Sequence, residues 1–189
     1  DGWSLAMVLQ DLISSYEGGE TIFPPTPKYG EYVEWLQRQD STAAEEYWRR
    51  RLKGFDSPTI VPYAIGGIVG EDGCNIDLLY FSEKETAELV KYARKNNVTM
   101  HTLLQAAWAV VLATYSREDD VVFGTTSTGR TEASYEISNL EKMVGLLINT
   151  TPTRIVVRRH QPVVEWLKEV QRRQIEAQQY EWLPLTQIQ

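Results

Sequence analysis

The chain has 189 residues, of which 42% are apolar and 24% charged, as is typical of one globular domain or one lobe of a larger domain. Its 26 acidic residues outnumber its 19 basic residues, and the net charge of −7 disfavours binding to nucleic acid because phosphates would be repelled. The sequence has one cysteine, Cys74, and no apolar run of membrane-spanning length, so it predicts a cytoplasmic protein without a disulfide framework, a thiolate metal cluster or a membrane partner.

The first third of the chain is predicted to be helical. Apolar residues recur at helical spacing from Trp3 to Tyr16 and indicate an amphipathic helix. Two further helices are expected from about Tyr29 to Gln39 and from about Ala43 to Leu52. Residues 55–75 contain proline and glycine without periodicity and are predicted to form a loop or crossover.

The middle of the chain carries start signals for two helices. A short strand is predicted from Ile76 to Phe81, and Ser82 with Glu85 forms a capping-box pattern that opens a helix ending near Asn97. Thr99 is the predicted cap of the next helix. That helix has a broad apolar face, which we expect to lie on a sheet and which comprises Met100, Leu103, Leu104, Ala107, Trp108, Val111, Leu112 and Tyr115.

The last third of the chain is predicted to supply strands and a final helix. Asp120 to Thr126 is a nearly continuous β-branched run, as expected of a strand buried on both faces. Two more strands are predicted around Gly145 to Asn149 and Thr153 to Arg158, and a helix from about Pro162 to Tyr180. The pattern as a whole predicts an α/β fold with helices packed against a mostly buried sheet.

Residue spacing alone offers few candidates for chemistry. The sequence has no phosphate-binding glycine loop, no metal-ligand set and no nucleophile elbow, and His101 and His160 each stand without a neighbouring carboxylate. Small hydroxylated residues and glycines follow a strand in residues 123–130, where they either admit a ligand close to the backbone or form a tight exit from the strand. In residues 144–154 a strand ends in Asn149, whose amide either lines a cleft or satisfies backbone groups.

Seven short segments stand out in order along the chain: DGWS at 1–4, YGEYVEW at 29–35, EYWRRRL at 46–52, LLQAAW at 103–108, DVVFGTT at 120–126, MVGLLINTTPTR at 143–154 and YEWLPLTQIQ at 180–189. Together they resemble the motifs of condensation domains of nonribosomal peptide synthetases. The first segment is similar to the end of the HHxxxDG motif, in the form that continues with Trp-Ser. Thr128-Gly129-Arg130 stands where this family usually has Ser-Gly-Arg.

The resemblance implies part of a two-lobed, chloramphenicol-acetyltransferase-like α/β fold, with a mixed sheet covered by helices. Residues 1–60 would be the end of the N-terminal lobe and the crossover, and residues 61–189 would be part of the C-terminal lobe. The two motif histidines would lie just before Asp1, outside this chain. The chain would therefore be less than half of a full domain, and we expect it to be inactive in isolation.

The resemblance also implies a function and partners. Donor and acceptor peptidyl carrier proteins would bring substrates on phosphopantetheine arms to a tunnel between the lobes, beside an adjacent adenylation domain. There the amine of the acceptor would attack the thioester of the donor and form an amide. No cofactor would bind the domain directly.

By position, the resemblance assigns roles to six residues. Asp1 and Gly2 would belong to the catalytic motif, Asp1 as its aspartate, expected to act as a structural ion-pair partner, and Gly2 as the residue that keeps the tunnel open. The wall of the tunnel would include Thr128, Gly129, Arg130 and Asn149, and no residue is expected to bind a metal. The alternatives are an epimerisation or acyltransferase domain of the same superfamily, or a non-catalytic domain that recruits partner enzymes.

Overall fold

The computed structural model describes residues 1–18, 26–61, 78–130 and 137–188. Cys74 and the first two residues of the strand predicted from Ile76 lie outside these ranges. The helices and strands within them are, in chain order, α1 (Gly2–Tyr16), α2 (Tyr29–Arg38), α3 (Ser41–Leu52), α4 (Glu83–Asn96), α5 (Met100–Ser116), β1 (Asp120–Ser127), β2 (Asn149–Val156), α6 (Val163–Gln178) and α7 (Leu185–Ile188). No single helix in the described ranges is long and apolar enough to cross a membrane. Helices α4 and α5, which are bent by 104° at their junction, together have the length and composition of a membrane span.

The predicted helices are confirmed, with ends that differ from the structure by two residues at most. Side chains cap three of them, and those of α4 and α5 are the caps that the sequence patterns indicated. The Asp1 carboxylate accepts a hydrogen bond from the Ser4 N–H at 2.7 Å, the Ser82 hydroxyl accepts one from Glu85, and the Thr99 hydroxyl accepts one from Thr102. These local contacts fix where α1, α4 and α5 begin.

The strand predictions are confirmed only in part. β1 was expected, but among its residues only Val121 is fully buried, so the expectation of burial on both faces is wrong. Residues 78–81 are not in a strand. The two strands predicted between residues 145 and 158 are one strand, β2, which continues through Pro152. A proline is tolerated there because the two strands pair only with each other in the described ranges, so the missing N–H faces an open edge.

The two strands run antiparallel. The Val157 N–H donates to the Asp119 carbonyl at 2.7 Å, and at the other end the hydroxyls of Thr126 and Thr150 lie 3.2 Å apart. The end of β1 therefore lies beside the start of β2. This pairing brings together the two polar segments that the sequence analysis singled out.

The chain forms two compact units, each assembled from segments that are distant in sequence. Unit 1 comprises Asp1–Leu52, Gly124–Pro152 and Ala177–Gln189, and unit 2 comprises Lys53–Phe123 and Thr153–Glu176. The predicted division at residue 60 concerns the lobes of a full domain and stays a prediction.

In unit 2, helix α5 packs through a face that only partly coincides with the predicted one, since Leu112 is buried and Leu103 is partly buried as expected. Its buried apolar residues include Ala106, Ala109 and Ala113, whose small side chains allow α6 to approach with Leu167 and Val170. A polar seam accompanies this contact, in which the hydroxyl of Thr102 donates to the side-chain oxygens of Gln171 and Gln174. The larger apolar residues of the predicted face that remain exposed are Leu104, Trp108, Val111 and Tyr115.

In unit 1, aromatic packing attaches the end of the chain to α3. The Trp48 side chain is 1% exposed, and its indole N–H donates to the Tyr180 carbonyl at 3.1 Å. The Tyr47 and Tyr180 rings stack with centroids 4.4 Å apart. Leu183 is fully buried in the same cluster. We call residues 177–188 the tail, and these contacts hold it in place.

Candidate functional site

Arg130 is the centre of a buried polar cluster in unit 1. Its side chain is 4% exposed, and its Nη1 donates to the carbonyls of Leu140 and Met143 at 3.3 and 2.6 Å. Its Nη2 forms an ion pair with the Asp1 carboxylate at 3.1 Å and also donates to the Gly145 carbonyl at 3.2 Å. Burial lowers the pKa of Arg130, but an arginine remains protonated in a protein, so this site holds a buried positive charge.

Asp1 serves both this ion pair and the start of α1. Its side chain is 1% exposed, and its Oδ1 accepts from the Ser4 N–H as the N-cap of the helix. A carboxylate at a helix N-terminus also interacts favourably with the helix dipole. The guanidinium of Arg130 lies 5.9 Å from the ring centroid of Trp3, which extends the cluster along the first turn. The first turn of α1 is therefore fixed to a residue 129 positions away.

Ser4 joins α1 to the segment before β2. Its hydroxyl donates to the Gly145 carbonyl at 2.9 Å and accepts from the Gly145 N–H and from Arg130 Nη2, both at 3.1 Å. A Cβ on Gly145 would lie 2.1 Å from the ring of Tyr29, so no larger residue fits without displacing that ring. These contacts explain why residues 145–148 are not a strand: Gly145 bonds to a side chain of α1 instead of to a neighbouring strand.

The turn that carries Arg130 has its own side-chain hydrogen bonds. The Ser127 hydroxyl accepts from the Gly129 N–H at 3.2 Å, and the Thr128 hydroxyl accepts from the Arg130 N–H at 3.4 Å. Gly129 has a φ of +64°, and a Cβ there would lie 2.0 Å from the Leu147 carbonyl oxygen. Both facts require glycine. The turn thus aims Arg130 inwards and leaves Thr128 exposed.

Asn149, at the start of β2, holds the tail. Its Nδ2 donates to the carbonyls of Glu181 and Leu183 at 2.5 and 2.9 Å, and its Oδ1 accepts from the Thr150 N–H at 2.9 Å. Both amide hydrogens are therefore used by the backbone of the tail. Of the two roles left open by the sequence, these contacts are those of an amide that satisfies backbone groups.

Glu181 is a buried carboxylic acid in the same part of unit 1. Its residue exposure is 9%. Burial raises the pKa of Glu181 above its ordinary value of 4.5, and a hydrogen bond from the Ser127 hydroxyl acts in the opposite direction.

The structure brings some of the predicted site residues together. Asp1 and Arg130 are in direct contact, and Gly129 lies in the turn that presents Arg130. Asn149 instead contacts the tail, and Gly2 is exposed, with no described atom within 4 Å of the position of an added Cβ. The catalytic and tunnel roles assigned by resemblance stay predictions.

The described residues contain no candidate metal site. His101 and His160 are both exposed. Within the described ranges, no group of three or more histidine, cysteine, aspartate or glutamate side chains is arranged to hold a metal ion.

Sequence reasoning missed Ser4 and Glu181. For Ser4 a signal existed, because Asp1 stands three residues before it, at the spacing of an N-cap and its backbone partner. For Glu181 the sequence contains no such signal, because only the fold buries that carboxyl group.

Comparison with known proteins places these residues in a family context. The model of the family described as "Condensation domain" matches residues 1–189. The chain is 41% identical over its whole length to a linear gramicidin synthase protein of Brevibacillus parabrevis, of which it covers 2%. It is 39% identical over its whole length to bacitracin synthase 1 of Bacillus licheniformis, of which it covers 4%.

Solved structures share the fold. The first condensation domain of the calcium-dependent antibiotic synthetase superposes with a TM-score of 0.73 at 17% identity, over 97% of this chain and 43% of that chain. The X-domain from teicoplanin biosynthesis superposes with a TM-score of 0.68 at 24% identity, over 100% of this chain and 44% of that chain. The chain thus spans less than half of each of these two structures and a small part of the synthases.

Proposed function

Because this chain belongs to the condensation-domain family, we propose that the full protein forms amide bonds in nonribosomal peptide synthesis. The substrates would be aminoacyl or peptidyl thioesters on the phosphopantetheine arms of donor and acceptor carrier proteins, with an adenylation domain adjacent in a cytoplasmic synthetase. In the reaction, the acceptor amine attacks the donor carbonyl, a C–N bond forms, the C–S bond breaks and the thiol of the donor arm leaves. The amine proton balances the departing thiolate.

The observation that carries this proposal is the fixed position of Asp1. Asp1 and Gly2 resemble the end of the HHxxxDG motif, and the buried ion pair with Arg130 holds Asp1 at the start of α1. In that motif the second histidine would lie four residues before Asp1, where it would orient the attacking amine. Bringing two tethered reactants together would account for much of the rate.

The role of Gly2 is the part of the proposal that a substitution within this chain can test. It is exposed at the first position of α1, and space is open around it in the described residues. We expect the tunnel to use this space, so that a side chain at position 2 would obstruct the reactants without disturbing the fold.

The test is amide formation by the intact synthetase with both carrier proteins loaded, measured by mass spectrometry of the released product. Gly2→Leu is expected to lower single-turnover amide formation at least about a hundredfold, the loss expected when reactants are displaced from their reacting geometry. Gly30→Leu is the matched control, since Gly30 also lies in the first turn of a helix with open space around it.

Two outcomes would contradict the proposal. If the wild-type protein forms no amide from any pair of loaded carriers, a domain that only recruits partners becomes the better account. If Gly2→Leu is as active as Gly30→Leu, Gly2 does not border the path of the substrates.

A further inference from the structure

Ser4 contacts both members of the buried ion pair in unit 1. Its backbone N–H donates to the Asp1 carboxylate at 2.7 Å, and its hydroxyl accepts from Arg130 Nη2 at 3.1 Å. Asp1 and Arg130 in turn bind each other at 3.1 Å. The three residues therefore form a closed ring of contacts at the first turn of α1, in which Ser4 is 8% exposed.

The same hydroxyl also binds the backbone of Gly145. It donates its hydrogen to the Gly145 carbonyl at 2.9 Å and accepts from the Gly145 N–H at 3.1 Å. A serine hydroxyl has one hydrogen to donate and two lone pairs with which to accept. The two contacts with Gly145 and the one with Arg130 therefore use its whole hydrogen-bonding capacity, and they fix its orientation.

Tyr29 also holds the segment that Ser4 binds. A Cβ on Gly145 would lie 2.1 Å from the Tyr29 ring, and the Tyr29 hydroxyl donates to the Leu146 carbonyl at 3.0 Å. Gly145 therefore presents its N–H and its carbonyl to Ser4 from a fixed position. Because the Ser4 hydroxyl is held by these two groups, its remaining lone pair is directed at Arg130.

We propose that Ser4 is a positioning residue for amide formation: its hydroxyl holds the Arg130 guanidinium in the orientation that pairs with Asp1, and so fixes the end of the condensation motif. The proposal rests on the proposed function, because it concerns the geometry of the same site. Ser4 touches no reacting group in it. Its effect passes through Arg130 and Asp1.

Another serine of α1 shows a different use of the same side chain. Ser15 is exposed, and its hydroxyl donates to the Asp11 carbonyl of its own helix at 2.9 Å. The Ser4 hydroxyl instead binds residues that are 126 and 141 positions away. Alanine favours a helix more than serine does, so helix formation does not account for a serine at this buried position.

The experiment compares variants of the intact synthetase with both carrier proteins loaded. Ser4→Ala should lower kcat for amide formation about tenfold, the loss expected for one hydrogen bond to a charged group, and should leave KM for the loaded carriers unchanged. Hydrogen exchange of the peptide that contains Gly145 should become faster, because the Gly145 N–H loses its acceptor. Ser4→Cys fills the space of the serine but has only a weak donor and acceptor, so it should resemble Ser4→Ala, and it carries the test if the alanine variant does not fold.

Two controls separate positioning from general damage. Ser15→Ala removes a hydroxyl from the same helix and should leave both kcat and the exchange of the Gly145 peptide unchanged. Tyr29→Phe removes a hydrogen bond to Leu146, in the segment that Ser4 binds, but it leaves the contacts of Ser4 with Arg130 and Asp1 in place. Its kcat should therefore equal that of the wild type.

The proposal is overturned if Ser4→Ala or Ser4→Cys retains the kcat of the wild type, or if Tyr29→Phe lowers kcat as much as Ser4→Ala does. A higher KM with an unchanged kcat would also overturn it, because Ser4 would then act in carrier binding. If the wild type forms no amide at all, the proposed function fails, while the exchange measurement still decides whether Ser4 holds Gly145.

Discussion

Two arginine–aspartate pairs, one in each unit, hold their charges by different means. In unit 1, Arg130 and Asp1 are 4% and 1% exposed, and the guanidinium also donates to backbone carbonyls and to Ser4. In unit 2, Arg154 and Asp120 are 15% and 36% exposed, and the arginine binds the carboxylate through both Nε and Nη2 at 3.0 and 2.6 Å. The first pair is enclosed, and the second is partly in water.

The pKa values of the two arginines reflect this difference. Desolvation lowers the pKa of Arg130, whereas the hydrogen bond to Asp120 raises the pKa of Arg154 against a smaller desolvation effect. A buried charge depends on all of its partners, because removing one leaves another unpaired away from water. A charge near the surface can exchange a lost partner for water. The difference shows that the fold should depend strongly on the buried pair of Arg130 with Asp1, whereas the partly exposed pair of Arg154 with Asp120 should stabilise only the strands that it joins.

The largest effect is expected from Arg130→Met. It leaves the Asp1 carboxylate without its cation and removes the hydrogen bonds of the arginine to three backbone carbonyls, so we expect a loss of about 4 kcal/mol in the free energy of unfolding of the intact domain. Urea denaturation followed by tryptophan fluorescence measures this. A loss below about 1 kcal/mol, which is the contribution of an exposed ion pair, would contradict the conclusion that the two pairs differ.

The second largest effect is expected from replacing glycine by alanine in the turn before Arg130, compared with the same replacement in a turn of unit 2. Gly129 and Gly54 both have positive φ, +64° and +76°, but only at Gly129 would a Cβ meet another atom, the Leu147 carbonyl oxygen. Gly54→Ala should cost about 1 kcal/mol for its backbone conformation, and Gly129→Ala about 3 kcal/mol because the close contact adds to it. Equal losses of stability in the two variants would show that the turn can shift to admit a methyl group.

A smaller loss, about 2 kcal/mol, is expected for Arg154→Met, which removes hydrogen bonds to a charged group at the strand pair. Because Asp120 is partly exposed, the stability difference from the wild type should shrink in molar salt, whereas that of Arg130→Met should not. The same salt dependence for both variants would remove the distinction between the pairs.

The smallest effect concerns pH and Glu181. Burial raises its pKa, so the folded state binds more protons than the unfolded state, and stability falls as the pH rises from 4.5 through the folded pKa. Glu181→Gln cannot ionise, so at pH 7 it should be more stable than the wild type, and this advantage should shrink as the pH falls towards 4.5. Unfolding curves at a series of pH values test the sign, and an advantage that grows on acidification would contradict it.

The sequence was sufficient for the helices but not for every face they bury. Cap residues such as Ser82 and Thr99 bind backbone groups three residues away, so the start of each helix can be predicted directly from the sequence. Helix α5 is apolar on more than one side, and only packing against α4, α6 and the strands selects the face with Ala106 and Ala109. Periodicity favours the larger side chains, which is why the predicted face included Trp108, now half exposed.

The site was predictable only as far as its motifs. Resemblance identified Asp1 and Arg130 separately, and an ion-pair role for Asp1, but nothing in the sequence names its partner. The contacts of Ser4 with Gly145 and of Asn149 with the tail join distant segments, and the same residue types occur elsewhere without such roles. Long-range pairing of this kind comes from the fold.

The most direct test of the account is a double-mutant cycle in the intact domain with Asp1→Asn and Arg130→Met. Asparagine retains the N-cap of α1 while it removes the charge, so the cycle isolates the ion pair. We predict a coupling free energy of at least about 1 kcal/mol, because the second substitution has little left to remove once the first is made. Additive effects of the two substitutions would contradict the claim that this buried pair fixes the first turn of α1.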